Sequence, residues 1–305
     1  MAVTVLVLRA LGLGDLLTGV PALRALRRAF PGERLVLAAP PSLSELVPLI
    51  GAVDDLLPTS GLGELEWAGP PPRLAVNLHG RGPRSTTDLL ALDPRELITH
   101  GQYPWRADLH EVDRWCGLLE YAGITTDRTD LGLSIDRLSP APGAVVIHPG
   151  AAYPARRWPP DRFASVAKAL ARDGHRVVVT GGPDEVGLAS NVASQAGLDD
   201  DAVLAGRTGL ADLAALVADA ALVLCGDTGV GHLATAFGTP SVLLFGPTPP
   251  RLWGPPPDAR QHVTLWVGDV GDPHADQPHS GLLLLCADRV LAAARRLVGE
   301  RVAHG

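Results

Sequence analysis

The sequence predicts an α/β protein built from two doubly wound halves. Three observations lead there. Short apolar runs, most of them closed by a turn of Gly, Asp or Pro, alternate with segments whose apolar residues recur at three and four. The alternation breaks once, near the middle, and then restarts. The chain has 305 residues, about twice the roughly 150 expected of one domain.

The first half opens with a continuous apolar run over 3–8, which suits a strand buried on both faces of a parallel sheet. The turn Gly12-Leu13-Gly14-Asp15 follows, then a helix over 16–30 with Leu16, Val20, Leu23, Leu26 and Phe30 on one face. Arg24, Arg27 and Arg28 lie toward its C-terminal end, where cations favour the helix dipole, and Pro31-Gly32 stops it. The same pattern predicts strands over 34–39, 55–57 and 74–78, and helices over 43–50, 86–92 and 111–122. Between 125 and 143 the chain is polar and interrupted by Pro140 and Pro142, which marks a linker, so the domains are expected over 1–142 and 143–305. The second half predicts strands over 144–148, 176–180, 202–204, 222–225 and 241–245. Its helices are expected over 160–172, 185–196, 210–218 and 231–237, followed by a loop rich in Pro, Asp and Gly over 247–278 and a last helix over 285–298.

Composition narrows the function. With 46% hydrophobic and 19% charged residues the chain is neither disordered nor collagen-like. No apolar run approaches the roughly 18 residues that span a bilayer, and residues 1–9 show no basic leader or small-residue cleavage site, so a cytoplasmic protein is expected. A net charge of −7 without a Lys/Arg block argues against a nucleic-acid partner. Cys116, Cys225 and Cys286 are an odd number, far apart, and read as buried thiols.

In an open α/β sheet ligands bind outside the carboxyl ends of the strands, so the turns after strands carry the chemistry. Asp15 stands at a helix entrance, where the dipole favours the carboxylate; it reads either as a proton acceptor or as a helix cap. His148-Pro149-Gly150 is followed by Arg156-Arg157-Trp158-Pro159, which offers guanidinium groups suited to phosphate or, alternatively, a solvated corner beside a core Trp. Gly181-Gly182-Pro183-Asp184-Glu185 is a glycine turn leading into a helix. Asp227-Thr228-Gly229-Val230-Gly231-His232 joins a buried strand to a helix and brings backbone N–H groups, a hydroxyl and an imidazole to one anion. Asn77-Leu78-His79-Gly80-Arg81 ends a strand of the first half, so His79 and Arg81 are candidates for an acceptor, Arg81 pairing with an anionic one. The first glycine turn lacks the third glycine of the dinucleotide fingerprint, and there is no GxxxxGK[ST] loop. Asp269, Asp272, His274, Asp276 and His279 have no zinc or calcium spacing and read as a solvated loop.

Taken in order, these motifs resemble glycosyltransferase family 9, which contains the ADP-heptose:lipopolysaccharide heptosyltransferases. The resemblance rests on Gly14-Asp15 with Pro21-Ala22-Leu23, His148-Pro149-Gly150, Arg156-Arg157-Trp158-Pro159, Gly181-Gly182-Pro183-Asp184-Glu185, Asp227-Thr228-Gly229 with His232, and Gly246-Pro247-Thr248. It implies a GT-B architecture, two Rossmann-like halves facing across a cleft, with the acceptor bound mainly by the first, the donor mainly by the second, and the last helix packing back on the first. It also implies Asp15 as general base. The donor set it implies is Gly14, Gly150, Arg156, Gly181, Gly182, Asp227, Thr228, Gly229 and His232. Members commonly carry Lys at the position of Arg156 and hydroxyl residues at those of Ala151 and Ala152.

The function expected is an inverting sugar transfer from a nucleoside-diphosphate sugar, with ADP-heptose foremost, to a hydroxyl of a glycan, glycolipid or metabolite. No cofactor or metal is expected, and the enzyme is expected to act as a monomer, with peripheral contact at the inner face of a membrane where the acceptor is lipid-linked. Two alternatives stand beside it: a non-catalytic nucleotide-sugar binder, and a nucleotide-sugar epimerase of GT-B type that needs no acceptor.

Overall fold

The computed structural model describes residues 3–63, 65–101 and 103–304, the last four by their backbone alone. The chain divides into two compact units, Met1–Leu133 and Ser134–Gly305. The division falls inside the polar, proline-interrupted stretch, ahead of the 142/143 boundary expected from the sequence.

The first unit holds five parallel strands: β1 (Thr4–Leu8), β2 (Arg34–Ala39), β3 (Asp55–Pro58), β4 (Leu74–Asn77) and β5 (Glu96–Ile98), in the spatial order β3-β2-β1-β4-β5. β1 is buried along its whole length, as its unbroken apolar run requires of a strand covered on both faces. The second unit repeats the plan with β6 (Val145–His148), β7 (Val177–Val179), β8 (Leu222–Gly226), β9 (Ser241–Leu244) and β10 (His262–Leu265), ordered β10-β9-β8-β6-β7 and again all parallel. In each sheet the direction of winding reverses once, between β1 and β4 and between β6 and β8. Those two points are where an open α/β sheet leaves a crevice for a ligand.

Four local expectations are corrected. The single helix over 16–30 is two, Leu13–Thr18 and Val20–Ala29, separated at Gly19, whose N–H closes both on Asp15 O (3.1 Å) and on Leu16 O (3.0 Å). The strand over 202–204 is reduced to one bridge, Val179 to Val203. β5 and β10 are strands beyond those expected, β10 lying inside the segment 247–278 expected as a loop. Finally, Cys116 and Cys225 are buried but Cys286 is exposed.

The basic face of the second helix is not a free cationic surface. Arg24 and Arg28 both reach Asp130, at 2.5 and 2.7 Å, and Arg27 pairs with Asp54. In the second unit Trp158 is core, edge-on to Phe163, its indole N–H donating to Leu285 O at 3.0 Å. The C-terminal helix, Ala287–His304, lays Val290, Ala294 and Leu297 into that same core, against the Pro160–Arg172 helix and strands β8 and β9.

Candidate functional site

The first unit assembles its candidate residues where β1 and β4 diverge. Asp15 lies in the first turn of Leu13–Thr18, whose cap position is taken by Gly12, so it does not serve as the N-cap residue. Its side chain keeps 28% of its surface open. Burial pushes the carboxyl above the ordinary aspartate range, against the opposing pull of Arg9 and of the Gly12 and Asp15 backbone N–H groups, while Glu111 adds to the rise. The helix end alone argues for the opposite direction; desolvation outweighs it.

Arg9, at the end of β1, is fully buried directly beneath. It donates from Nε to Asp15 O at 2.5 Å, from Nη1 to Leu78 O, and from Nη2 to Thr18 Oγ1 at 3.1 Å. His79 follows β4. Its backbone N–H donates to Asn77 Oδ1 at 3.1 Å, and Asn77 in turn donates to Ser85 and Thr99, both at 3.0 Å, so the strand end is laced to the helix Arg84–Leu90. Burial and the nearby Arg9 charge hold the His79 imidazole below its usual range, and its Nδ1 is buried with no hydrogen-bond partner among the described residues. Arg81 is exposed on the same loop, without an ion pair among the described residues. Gly14 sits beside Asp15 in this unit, apart in the chain from the rest of the expected donor set, which belongs to the second unit.

The second unit gathers its candidates where β6 and β8 diverge. Asp227 and Thr228 follow β8, and Thr228 is the N-cap of Gly229–Phe237. Its hydroxyl makes no cap bond; Oγ1 is buried without a hydrogen bond of normal geometry and faces the Cys225 thiol, which burial pushes up to about 12. The first N–H groups of a helix have no acceptor within it, so this end presents donors and a positive dipole together. Arg156 points at the same turn, Nη1 reaching Asp227 O at 3.4 Å, with Nε buried and unpartnered among the described residues. Arg157 does not join it: its Nε donates to Ala151 O at 2.9 Å and braces the turn. His232, one turn into the helix, stands edge-on to Trp253 at 6.0 Å. Asp227, Thr228 and His232 line a shallow open recess with Thr235, Phe245 and Trp253.

His148, at the end of β6, is buried; Nδ1 lies 3.2 Å from Thr180 Oγ1, and desolvation holds its imidazole down while Glu185 pulls it up. Glu185, named in the sequence only as the end of the glycine turn 181–185 and given no role of its own there, joins this strand end. Its carboxylate accepts from Gly182 N at 2.9 Å and lies so close over Gly150 that a Cβ there would come within 2.0 Å of Oε1. A side chain at 150 would displace the Glu185 carboxylate, and a Cβ at Gly181 would stand 2.9 Å from the Glu185 Cβ. The signal was an acidic residue after the second strand of a doubly wound unit, the position that binds a ribose diol in dinucleotide folds. Among the described residues no group of three or more His, Cys, Asp or Glu could hold a metal ion, and the loop around His274 and His279 forms none.

The sequence model of glycosyltransferase family 9 (heptosyltransferase) matches residues 103–275, more than half of the chain and all of the second-unit candidates. Lipopolysaccharide heptosyltransferase 3 of Escherichia coli K12 is 31% identical over 63% of this chain and 60% of its own length. Lipopolysaccharide heptosyltransferase 2 of Salmonella typhimurium LT2 is 32% identical over 50% of the chain and 46% of its own. The aligned segment thus spans about half to three-fifths of these curated relatives. Over nearly the whole chain the fold is that of a family 9 glycosyltransferase from Veillonella parvula, with a TM-score of 0.80, 23% identity and 97% of both chains covered. It is likewise that of E. coli ADP-heptose lps heptosyltransferase II, with a TM-score of 0.75, 20% identity, and 98% and 99% covered. The two parallel-sheet units are those of the GT-B fold.

Proposed function

The chain belongs to glycosyltransferase family 9, and from that membership and its two strand-end sites we propose that it is an inverting sugar transferase. The donor is a nucleoside-diphosphate sugar, ADP-heptose foremost, and the acceptor a hydroxyl of a glycan, glycolipid or metabolite. The observation that carries this reading is the Asp227–Thr228–Gly229 turn. A capping threonine that caps nothing and an arginine with a buried, unpartnered N–H meet at one helix end. A buried N–H left unpaired destabilises by about 1–3 kcal/mol, and a diphosphate at this helix end satisfies the one on Arg156.

In this mechanism Asp15 takes the proton of the acceptor hydroxyl as its oxygen attacks the anomeric carbon from the face opposite the diphosphate. A carboxyl raised by burial is a stronger base than an ordinary aspartate, and such assistance contributes roughly 10²- to 10⁴-fold. The bond to the diphosphate breaks as the new glycosidic bond forms. The charge left on the departing phosphate is met by the helix amides, the Thr228 hydroxyl and Arg156, which stand ready before the reaction begins. In this reading Glu185 accepts hydrogen bonds from a ribose diol beside Gly150 and Gly182, and His232 with Trp253 contacts the sugar. His79 and Arg81 serve the acceptor. The reading implies a monomer that needs no metal ion and meets a lipid-linked acceptor at the membrane surface.

The test begins with a thermal-shift screen over ADP-, GDP-, UDP- and TDP-sugars, since a ligand at 100 times its Kd stabilises the fold by about 2.7 kcal/mol. With the best donor, Asp15→Asn is expected to abolish transfer while leaving donor binding nearly intact, and EDTA to leave the wild-type rate unchanged. Loss of binding together with transfer would make Asp15 structural. Turnover of donor without acceptor would identify an epimerase, and binding without any turnover a sensor.

A further inference from the structure

The first unit contains a second acidic residue at the Asp15 site, delivered from far along the chain. Glu111 opens the helix Glu111–Tyr121 and is only 4% exposed. Its Oε1 lies 3.4 Å from Arg9 Nη2, and Asp15 Oδ1 lies 4.0 Å from the same nitrogen. One guanidinium nitrogen therefore stands between two carboxylates. We propose that Glu111 is a positioning residue for Asp15, acting through Arg9: by sharing that nitrogen it limits how much of the Arg9 charge the Asp15 carboxylate receives.

The surrounding contacts leave Glu111 and Arg9 little freedom. Glu111 Oε1 accepts from the Trp115 indole N–H at 2.7 Å, and Oε2 pairs with Arg114. Arg114 is itself held, stacked 4.4 Å from the Trp105 ring centroid and donating to Leu109 O at 3.2 Å. The Trp115 ring covers the Arg9 guanidinium at 5.0 Å. On the other side Arg9 passes against Gly19, where a Cβ would stand 3.0 Å from its Cδ and Nε, so the glycine between the first two helices leaves room for the arginine. Arg9 cannot swing toward Asp15 without abandoning Leu78 O, Thr18 Oγ1 and Glu111 together.

The charges in reach are few. Arg9 and Glu111 act on Asp15 in opposite senses, joined by the Gly12 and Asp15 backbone N–H groups. His79, after β4, feels Arg9 and, from the helix beside it, Asp88. His100 feels Arg114 and Glu111, and burial holds it down. A group that only filled space beside Arg9 would leave the proton affinity of Asp15 alone. A competitor for the same nitrogen does not.

Glu111→Gln keeps an acceptor for Trp115 and removes the charge. The inference rests on the reading of Asp15 as base only for its kinetic part, so two measurements separate the two. By NMR titration of the Asp15 carboxyl, assigned with Asp15→Asn, the midpoint in Glu111→Gln is expected to fall by about 0.5 to 1 pH unit. The acid limb of the kcat/KM profile is expected to move with it, and the limiting rate to drop a few-fold as the base weakens. A midpoint that stays or rises overturns the inference. A midpoint that falls while the kinetic limb stays in place upholds the coupling and removes Asp15 as the base. Should Glu111→Gln not fold, Glu111→Asp keeps the charge but withdraws it by one methylene; a smaller fall is then expected, and an unchanged midpoint in that folded variant overturns the inference as well.

Discussion

Arg156 illustrates how much a single side chain decides here. Its guanidinium sits beside the Asp227 carbonyl at 3.4 Å, a long contact, with Tyr153 5.6 Å away and one N–H buried without a partner. Nothing in that arrangement stabilises the apo fold much; the residue is poised for an anion. Charge-assisted hydrogen bonds contribute about 1.5–3 kcal/mol, so Arg156→Ala is expected to weaken donor binding by roughly 10- to 100-fold while leaving the melting temperature close to wild type. Arg156→Lys retains the charge and is expected to recover most of the affinity but not a two-pronged grip. Titration calorimetry with the donor, or with the free nucleoside diphosphate, checks both. Equal affinity in the Ala variant would move the phosphate site elsewhere.

At the scale of elements, the strands buried on both faces were legible because nothing but a continuous apolar run can occupy them: β1, β2, β4, β6, β8 and β9 all read directly from the sequence. What was missed lies at sheet edges. β5 is three residues, begins with exposed Glu96, and pairs on one side only. β10 hides as His-Val-Thr-Leu inside a run of Pro and Asp, and only its last residue, Leu265, is fully buried, His262 and Val263 being half-buried. Edge strands bury one flank, so their patterns weaken. The same logic explains the site. Asp15, His79 and the Asp227 turn follow central strands and could be read; Glu185 acts across two turns on Gly150, a meeting that only the sheet order creates. β10 also carries a pH liability. His262, hydrogen-bonded to Ser241 Oγ at 2.8 Å, is pushed by burial from 6.5 down to about 4. Below 6.5 the unfolded chain takes up the proton first, so stability is full above 6.5 and is lost progressively as pH falls toward 4. Urea unfolding of His262→Gln is expected to show a flatter stability profile across that window than wild type. A slope equal to wild type would mean that the imidazole titrates freely in the native sheet.

At the scale of the whole molecule, no helix among the described residues is long and apolar enough to cross a membrane, and the arginines of the Val20–Ala29 helix are held in ion pairs. More informative is how the work is divided. Each unit carries its own five-stranded sheet and buried core, and the residues proposed for the donor, Gly14 apart, lie in Ser134–Gly305, as does the C-terminal helix with its core contacts. At well over 100 residues a unit of this size can bury enough apolar surface to fold alone. The fragment 134–305 is therefore expected to unfold cooperatively, to be stabilised by the same nucleoside diphosphate as the full chain, and to lose that stabilisation on Arg156→Ala. It is expected to transfer nothing, because the proposed base, Asp15, with Arg9 and Glu111, belongs to the other unit. A fragment that folds but ignores the nucleotide would show that the first unit contributes to the donor site itself, and Gly14, placed beside Asp15, would be the first residue to test.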